Sequence, residues 1–340
     1  MSRILIAFAV SAVTLCSVQI SAADSIYTLR ASAYLSPLSH TVTRIFAPWI
    51  EDVERESNGR IRFETYWGGG LGRNPYKQFD LVKAGVSDVT LVQPSYTPGQ
   101  FPETQILELP FLTRTSSEAS VLAWQLYERG LLSGYEEVKL IGIWTAEPGN
   151  LYTRTPITNY NDISGMKIRA AGRLEGDFVK RLGAVPESMH PADAVEALRR
   201  GTIDGTIQGW VSVNTFQTYR HTSHVITSPL SAVSFTIMMN KETWNTLPRD
   251  LQAIIENAGG LKVALRGGRS YDRRVVEIAR RLPDEGHLEP VAPDPEEFER
   301  MREFLQPVAD DWIERTEGGE KTFSAAQEIL TGLRRRERQM

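Results

Sequence analysis

Cysteine is almost missing from this 340-residue chain, which has only Cys16. That residue lies in an apolar run from Ile4 to Val18, behind Arg3 and ahead of Ser21-Ala22-Ala23 and Asp24. This is the layout of a removable export signal, residues 1–23, with cleavage near Ala23. The run falls short of the roughly 20 residues a membrane span needs, and Leu15 is bulkier than the small residue that usually precedes a lipid-bearing cysteine. The processed chain is then expected to contain no thiol, which excludes disulfides and cysteine nucleophiles. No later run is apolar enough to span a membrane. Export without a disulfide framework points to a bacterial periplasm.

Other absences narrow the chemistry. No serine sits in a Gly-x-Ser-x-Gly elbow. Histidines number five, and the closest pair, His221 and His224, lacks a glutamate-containing zinc motif and a cysteine partner. No metal or other cofactor is therefore expected. The glycine cluster Gly68-Gly69-Gly70-Leu71-Gly72 has Arg73 where a dinucleotide fingerprint needs its third glycine, and no Gly-Lys-Ser/Thr follows. A turn beside a cleft is the better reading. Positive charge is also in deficit: removing Arg3 from 38 basic residues leaves 37 against 42 acidic ones. Such a balance argues against nucleic-acid binding. The run Arg334-Arg335-Arg336 meets Glu337 at once and reads as a solvated helix end.

What is present is an α/β pattern with 41% hydrophobic residues, long enough for about two domains. Residues 26–33 alternate as a strand, and 39–56 carry Val42, Ile45, Phe46, Trp49, Ile50 and Val53 at helical spacing, with Asn58-Gly59 as the stop signal. Strands are expected at 61–66, 138–144 and 235–239. Helices are expected from Leu247-Pro248 onward, over 294–314 and over 320–336. Gly259-Gly260 and Gly267-Gly268 leave the continuity of the first of these open. Two distant stretches match, Leu81 to Leu91 and Ala197 to Ile207, each ending a helix at a glycine and entering a strand through an aspartate three residues on. This predicts two similar α/β lobes. The expected division is 24–148 with about 236–270 for one lobe, and 149–235 with about 271–340 for the other.

Arg169 closes the strand-like run Gly165-Met166-Lys167-Ile168-Arg169, where its planar guanidinium could take both oxygens of a carboxylate. The alternative is an internal ion pair with one of the 42 acidic residues. Aromatic residues Tyr34, Trp67, Tyr96 and Trp210 fall where loops should meet a cleft, and His40, Gly70, Arg73, Pro94 and Phe235 complete the list of candidates around it.

A series of short segments runs in order along the chain: Gly59-Arg60-Ile61, Gly70-Leu71-Gly72, Ala84-Gly85-Val86-Ser87-Asp88, Leu109-Pro110-Phe111-Leu112, Gly165 to Arg169, Leu182-Gly183-Ala184-Val185-Pro186, Asp204-Gly205 and Asn240-Lys241-Glu242-Thr243-Trp244. In this colinear set the sequence resembles the solute-binding subunits of tripartite ATP-independent periplasmic (TRAP) transporters, the family of the C4-dicarboxylate-binding protein. The resemblance implies a two-lobe periplasmic binding protein fold with a long helix spanning both lobes. It implies an organic acid held by Arg169, delivery to small and large membrane subunits, and action as a monomer. The second binding arginine common in the family would fall near Gly149 and is missing. Gln208 takes the place of a ligand-contacting asparagine, and Ala171 that of a usual proline. One arginine and aromatic walls favour a monocarboxylate with an apolar or aromatic body, with a sugar acid or C4 dicarboxylate as rival. A periplasmic enzyme or a sensory ligand presenter on the same scaffold is the rival class.

Overall fold

The structure, a computed structural model, describes residues 25–339, so the signal segment and Cys16 lie outside the described residues. The first half alternates strands and helices: β1 (Tyr27–Ser32), α1 (Ala47–Glu56), β2 (Ile61–Tyr66), α2 (Gln78–Lys83), β3 (Val89–Val92), α3 (Ser116–Glu128) and β4 (Val138–Thr145). Then follow β5 (Asn150–Thr153), β6 (Lys167–Ala170), α4 (Arg173–Arg181), β7 (Val185–Ser188), α5 (Pro191–Arg200), β8 (Gly205–Gln208), α6 (Trp210–Phe216) and β9 (His224–Ile226). The chain returns through β10 (Ser234–Asn240), α7 (Lys241–Thr246), α8 (Arg249–Ala258) and α9 (Gly260–Asp284). It ends with β11 (Glu289–Val291), α10 (Pro295–Arg315) and α11 (Gly319–Glu337).

These strands form two sheets, in the orders β2-β1-β3-β10-β4 and β11-β9-β5-β8-β6-β7. Each sheet has one strand supplied from across the molecule. β10 enters the first sheet antiparallel between β3 and β4, and β5 enters the second antiparallel between β8 and β9. The fold is therefore α/β with two lobes, joined where β4 passes to β5, where β9 passes to β10, and along α9.

The matching segments do the same work in both sheets. Gly85 and Gly201 follow α2 and α5 in the left-handed conformation that a glycine adopts without a Cβ penalty. The next aspartate then pairs with the strand beside it. Asp88 takes the Arg30 N–H on its carboxylate at 2.8 Å and returns its own N–H to Arg30 O at 2.9 Å. Asp204 does likewise with Lys167, at 2.8 Å each way. The repeat thus locks the start of the third strand of each lobe to the first.

The open question about the glycine pairs is answered differently for each. Gly259 and Gly260 break the helix between α8 and α9, and a Cβ at Gly259 would stand 2.4 Å from Ile141 O. Gly267 and Gly268 lie inside an uninterrupted α9. There a Cβ would stand 2.5 Å from Trp144 Cβ and 2.5 Å from Ser117 Cα, so the glycines let the helix press onto β4 and α3. Further along, α9 reaches the second lobe, where Arg281 hydrogen-bonds Asn214 of α6.

One boundary needs correction. The segment 271–340 was assigned whole to the second lobe, but α11 packs back on the first. Its Arg334 pairs with the buried Glu118 of α3, and Arg129 at the end of α3 pairs with Glu328. Its apolar face, with Ala326, Ile329 and Leu330, covers the core around Leu122 and Leu126.

Candidate functional site

Side chains at or just past the carboxyl ends of β1, β3, β6 and β8 converge on one cavity between the lobes, with about 710 Å³ of empty space including its mouth. Strand ends at a sheet crossover are where α/β folds leave room for ligands. From the first lobe come Tyr34, Gln93 and Tyr96, with His40 and Thr41 immediately before a π-helical turn, Val42–Phe46. Such a turn widens a helix locally and recurs at functional sites. Thr41 is tied to Tyr271 of α9 by a 2.7 Å hydroxyl contact, and His40 Nε2 lies 2.9 Å from Ser270 Oγ. α9 therefore forms part of the wall.

From the second lobe comes Arg169, only 3% exposed. Its Nε donates to Met189 O at 2.8 Å and its Nη1 to Ile207 O at 2.9 Å. Among the described residues no carboxylate forms an ion pair with it, and its Nη2 has no hydrogen-bond partner. The internal ion-pair alternative is thus absent from the structure. A buried guanidinium is held by carbonyls and left short of a counter-charge, a costly arrangement that an entering carboxylate would complete.

The rest of the wall is kept low in charge. Burial, reinforced by the Arg169 charge on His190 and by Arg274, Arg44 and Arg273 on His40, lowers both histidines to about 4, so they are neutral at pH 7. Burial raises Glu147 to about 8 despite its bond from Val211 N–H. Glu108, behind the wall, is raised to about 8 by burial and then by its neighbour Glu175. Burial also raises Glu175, against the pull of Arg169, the Ser231 hydroxyl and the Ala171 N–H. Among the described lining residues Arg169 is the one permanent cation. Around it stand Tyr34, Tyr96, His190 and Phe216, in edge and tilted contacts with centroids 5.3–6.5 Å apart.

A pocket of this kind at the crossover of two such sheets narrows the field, and comparison with known families decides it. The family model described as "Bacterial extracellular solute-binding protein, family 7" matches residues 32–316. The chain belongs to this family. Among its relatives is the C4-dicarboxylate-binding periplasmic protein of Rhodobacter capsulatus, 24% identical over 288 residues, or 83% of this chain and 84% of that one. Among solved structures, a TRAP solute-binding protein from Rhodoferax ferrireducens T118 with copurified benzoate superposes with a TM-score of 0.83 at 27% identity, covering 90% of this chain and 98% of that one. Another, from a marine metagenome and described as specific for aromatic acids, contains metahydroxyphenylacetate. Its TM-score is 0.85 at 26% identity, over 90% of this chain and 99% of that one. The family 7 proteins are periplasmic receptors that bind small molecules and deliver them to membrane subunits.

Within this family 7 chain, the structure brings Arg169, Gln208, Tyr34, His40, Tyr96 and Phe235 to the cavity wall. It does not bring Trp67, Gly70, Arg73, Pro94 or Trp210 there. Trp67 turns toward the core, its ring 5.3 Å from Phe46. Trp210 begins α6 but stands edge-on to Tyr152 at 5.6 Å, away from the cavity despite following Gln208 so closely. Pro94 is buried in the turn that presents Tyr96. Gly70 and Arg73 belong to a surface turn anchored on Leu35 O and Ala33 O by the Gly68 and Gly69 N–H groups. His224, weighed as a metal ligand, contacts Glu289 across β9 and β11.

Glu147, Glu175, His190, Phe216 and Tyr271 were missed. His190 could have been found, since His190-Pro191-Ala192-Asp193 reads as a helix start and its Nδ1 does accept the Ala192 N–H. No local signal marks the others. The position near Gly149 carries no cation, and a Cβ there would stand 3.1 Å from Ile207 Cγ2.

Proposed function

We propose that this protein is the periplasmic receptor of a TRAP transporter for an organic monocarboxylate with an aromatic or apolar body. Arg169 anchors the carboxylate, and the protein hands the acid to one small and one large membrane subunit after cleavage near Ala23. The observation that carries this reading is a buried guanidinium with no carboxylate partner, facing a wall of tyrosine, histidine and phenylalanine rings. Aromatic acids in two structurally similar receptors support it. A dicarboxylate fits less well, because a second carboxylate would meet Glu147 or Glu175 and no second arginine.

In this reading the lobes, taken as 24–148 with about 236–270 and 149–235 with the chain from about 271 to α10, close on the ligand. Closure adds Arg169 contacts that the open state lacks, and the equilibrium moves by that difference in affinity. The reading is tested by thermal shift and calorimetry on protein stripped of copurified ligand, comparing benzoate and phenylacetate with succinate and gluconate. Benzoate or phenylacetate is expected to bind at least tenfold more tightly. Tighter binding of succinate or gluconate would sink the monocarboxylate assignment, and chemical turnover of the bound acid would sink the receptor role.

A further inference from the structure

Two side chains in the cavity wall carry polar atoms that nothing in the protein satisfies. Gln208, 4% exposed at the end of β8, has both amide atoms buried and unpartnered. Glu147, 5% exposed, uses Oε1 to accept the Val211 N–H at 2.6 Å and leaves Oε2 buried and unpartnered. Both residues line the same cavity, and Glu147 packs against Gly209, the residue after Gln208. Buried polar atoms nearly always have partners in native proteins, so three orphans in one wall mark a place where a partner belongs.

The protonation of Glu147 sets what kind of partner. Burial keeps its carboxyl neutral at pH 7, so Oε2 is a donor. The titratable groups that interact with it are Asp272 and Tyr271 of α9 and Tyr152 of β5, and no guanidinium or ammonium is among them.

We infer that Glu147 and Gln208 form a polar subsite, apart from the Arg169 anchor, that holds a neutral hydroxyl on the body of the ligand. The preferred ligand is then a hydroxylated aromatic monocarboxylate, an inference that rests on the monocarboxylate reading above. A hydroxyl is the smallest group that both accepts, from Glu147 Oε2–H, and donates, to Gln208 Oε1. A second carboxylate can only accept. Even with the Glu147 Oε2–H and the Gln208 Nε2–H bonded to it, it would leave the Gln208 carbonyl unpaired and its own charge without a cation to compensate it. An unsubstituted ring strands all three atoms, and sites built to bond a hydroxyl discriminate strongly against analogues without one.

The test is calorimetry on ligand-stripped protein with benzoate, 3-hydroxybenzoate, 4-hydroxybenzoate, phenylacetate, 3-hydroxyphenylacetate and isophthalate. At least one hydroxylated acid is expected to bind ten times more tightly than its parent, with isophthalate weaker than both. Gln208→Leu is expected to cut that ratio below threefold. Glu147→Gln retains an acceptor for Val211 and a donor for the ligand, and is expected to keep the ratio. Ratios near one in wild type, tightest binding of isophthalate, or a ratio that survives Gln208→Leu would overturn the subsite. Benzoate binding with a ratio near one overturns the subsite alone, whereas no binding by any of these aromatic acids takes down the ligand class with it.

Discussion

Replacing Arg169 with methionine separates two roles that burial alone leaves confounded. The unbranched side chain keeps most of the volume and loses the cation together with its bonds to Met189 O and Ile207 O. Were the guanidinium an internal counter-ion, its loss would strand a buried carboxylate, at about 3–5 kcal/mol in the ligand-free protein. No carboxylate is paired with it, and the nearby Glu175 is already pushed toward its neutral form by burial. The ligand-free cost is then two carbonyls without a donor, about 1–3 kcal/mol each, offset by removal of a desolvated cation whose burial costs several kcal/mol. The net change in ligand-free stability should stay within about 2 kcal/mol. The bound state has no such compensation. Truncating one partner of a buried charge pair costs about 2–5 kcal/mol, which at tenfold per 1.4 kcal/mol is roughly 30- to 4,000-fold in Kd. Urea unfolding of stripped protein and calorimetry with the best-binding acid of the panel measure the two numbers separately. Affinity within threefold of wild type, or a ligand-free loss above about 4 kcal/mol, would refute the anchor.

Stability of the ligand-free protein should depend on pH in a way set by the buried cavity groups. Glu108 and Glu147, raised to about 8, hold extra protons in the folded state between about pH 4.5 and 8 and so lose stability as pH rises through that window. His40 and His190, lowered to about 4, bind more protons unfolded and gain stability between about 4 and 6.5. The two pairs offset one another up to about pH 6.5. Above that stability should fall by about 2–4 kcal/mol by pH 8, at no more than about 1.4 kcal/mol per unit for each acid. Urea midpoints at pH 5, 6.5 and 8 measure the curve, Glu147→Gln should roughly halve the drop, and a rise from 6.5 to 8 contradicts the assignment. The paired aspartates can be tested together: Asp88→Ala, which also loses the Arg30 Nε and Thr243 contacts, should cost about 2–3 kcal/mol, and Asp204→Ala about 1–2. Because they sit in different lobes the double variant should be additive within about 0.5 kcal/mol, and strong coupling would argue against equivalent local locks. Gly267→Ala gains about 1 kcal/mol of helix propensity but places a methyl against Trp144. A net loss of about 1–2 kcal/mol by chemical denaturation is expected, and a stabilised variant would show that α9 can move off β4 freely.

What could be read from the chain divides along the range of the interactions that decide each feature. The glycine and aspartate of Leu81–Leu91 and of Ala197–Ile207 act within three residues and on the adjacent strand, so their repetition makes both lobes legible in the sequence. Arg169 was legible for the same reason, as a charge at the end of a strand whose neighbours already defined its setting. The aromatic candidates were harder because a tryptophan near a loop can turn either way. Trp210 and Gln208 are two residues apart, yet Gln208 ends a strand and lines the cavity, while Trp210 starts a helix whose first turn carries the indole onto Tyr152. Glu147 and Tyr271 were out of reach altogether. Glu147 looks like a turn residue before Pro148-Gly149-Asn150, and only the approach of Val211, 64 positions away, gives its carboxyl a backbone partner and a dry environment. Tyr271 meets Thr41 across 230 residues because α9 spans both lobes, and α9 can do so only where Gly267 and Gly268 let it close on β4 and α3. The glycines that left the helix in doubt are thus the same residues that put its tyrosine into the wall of the site.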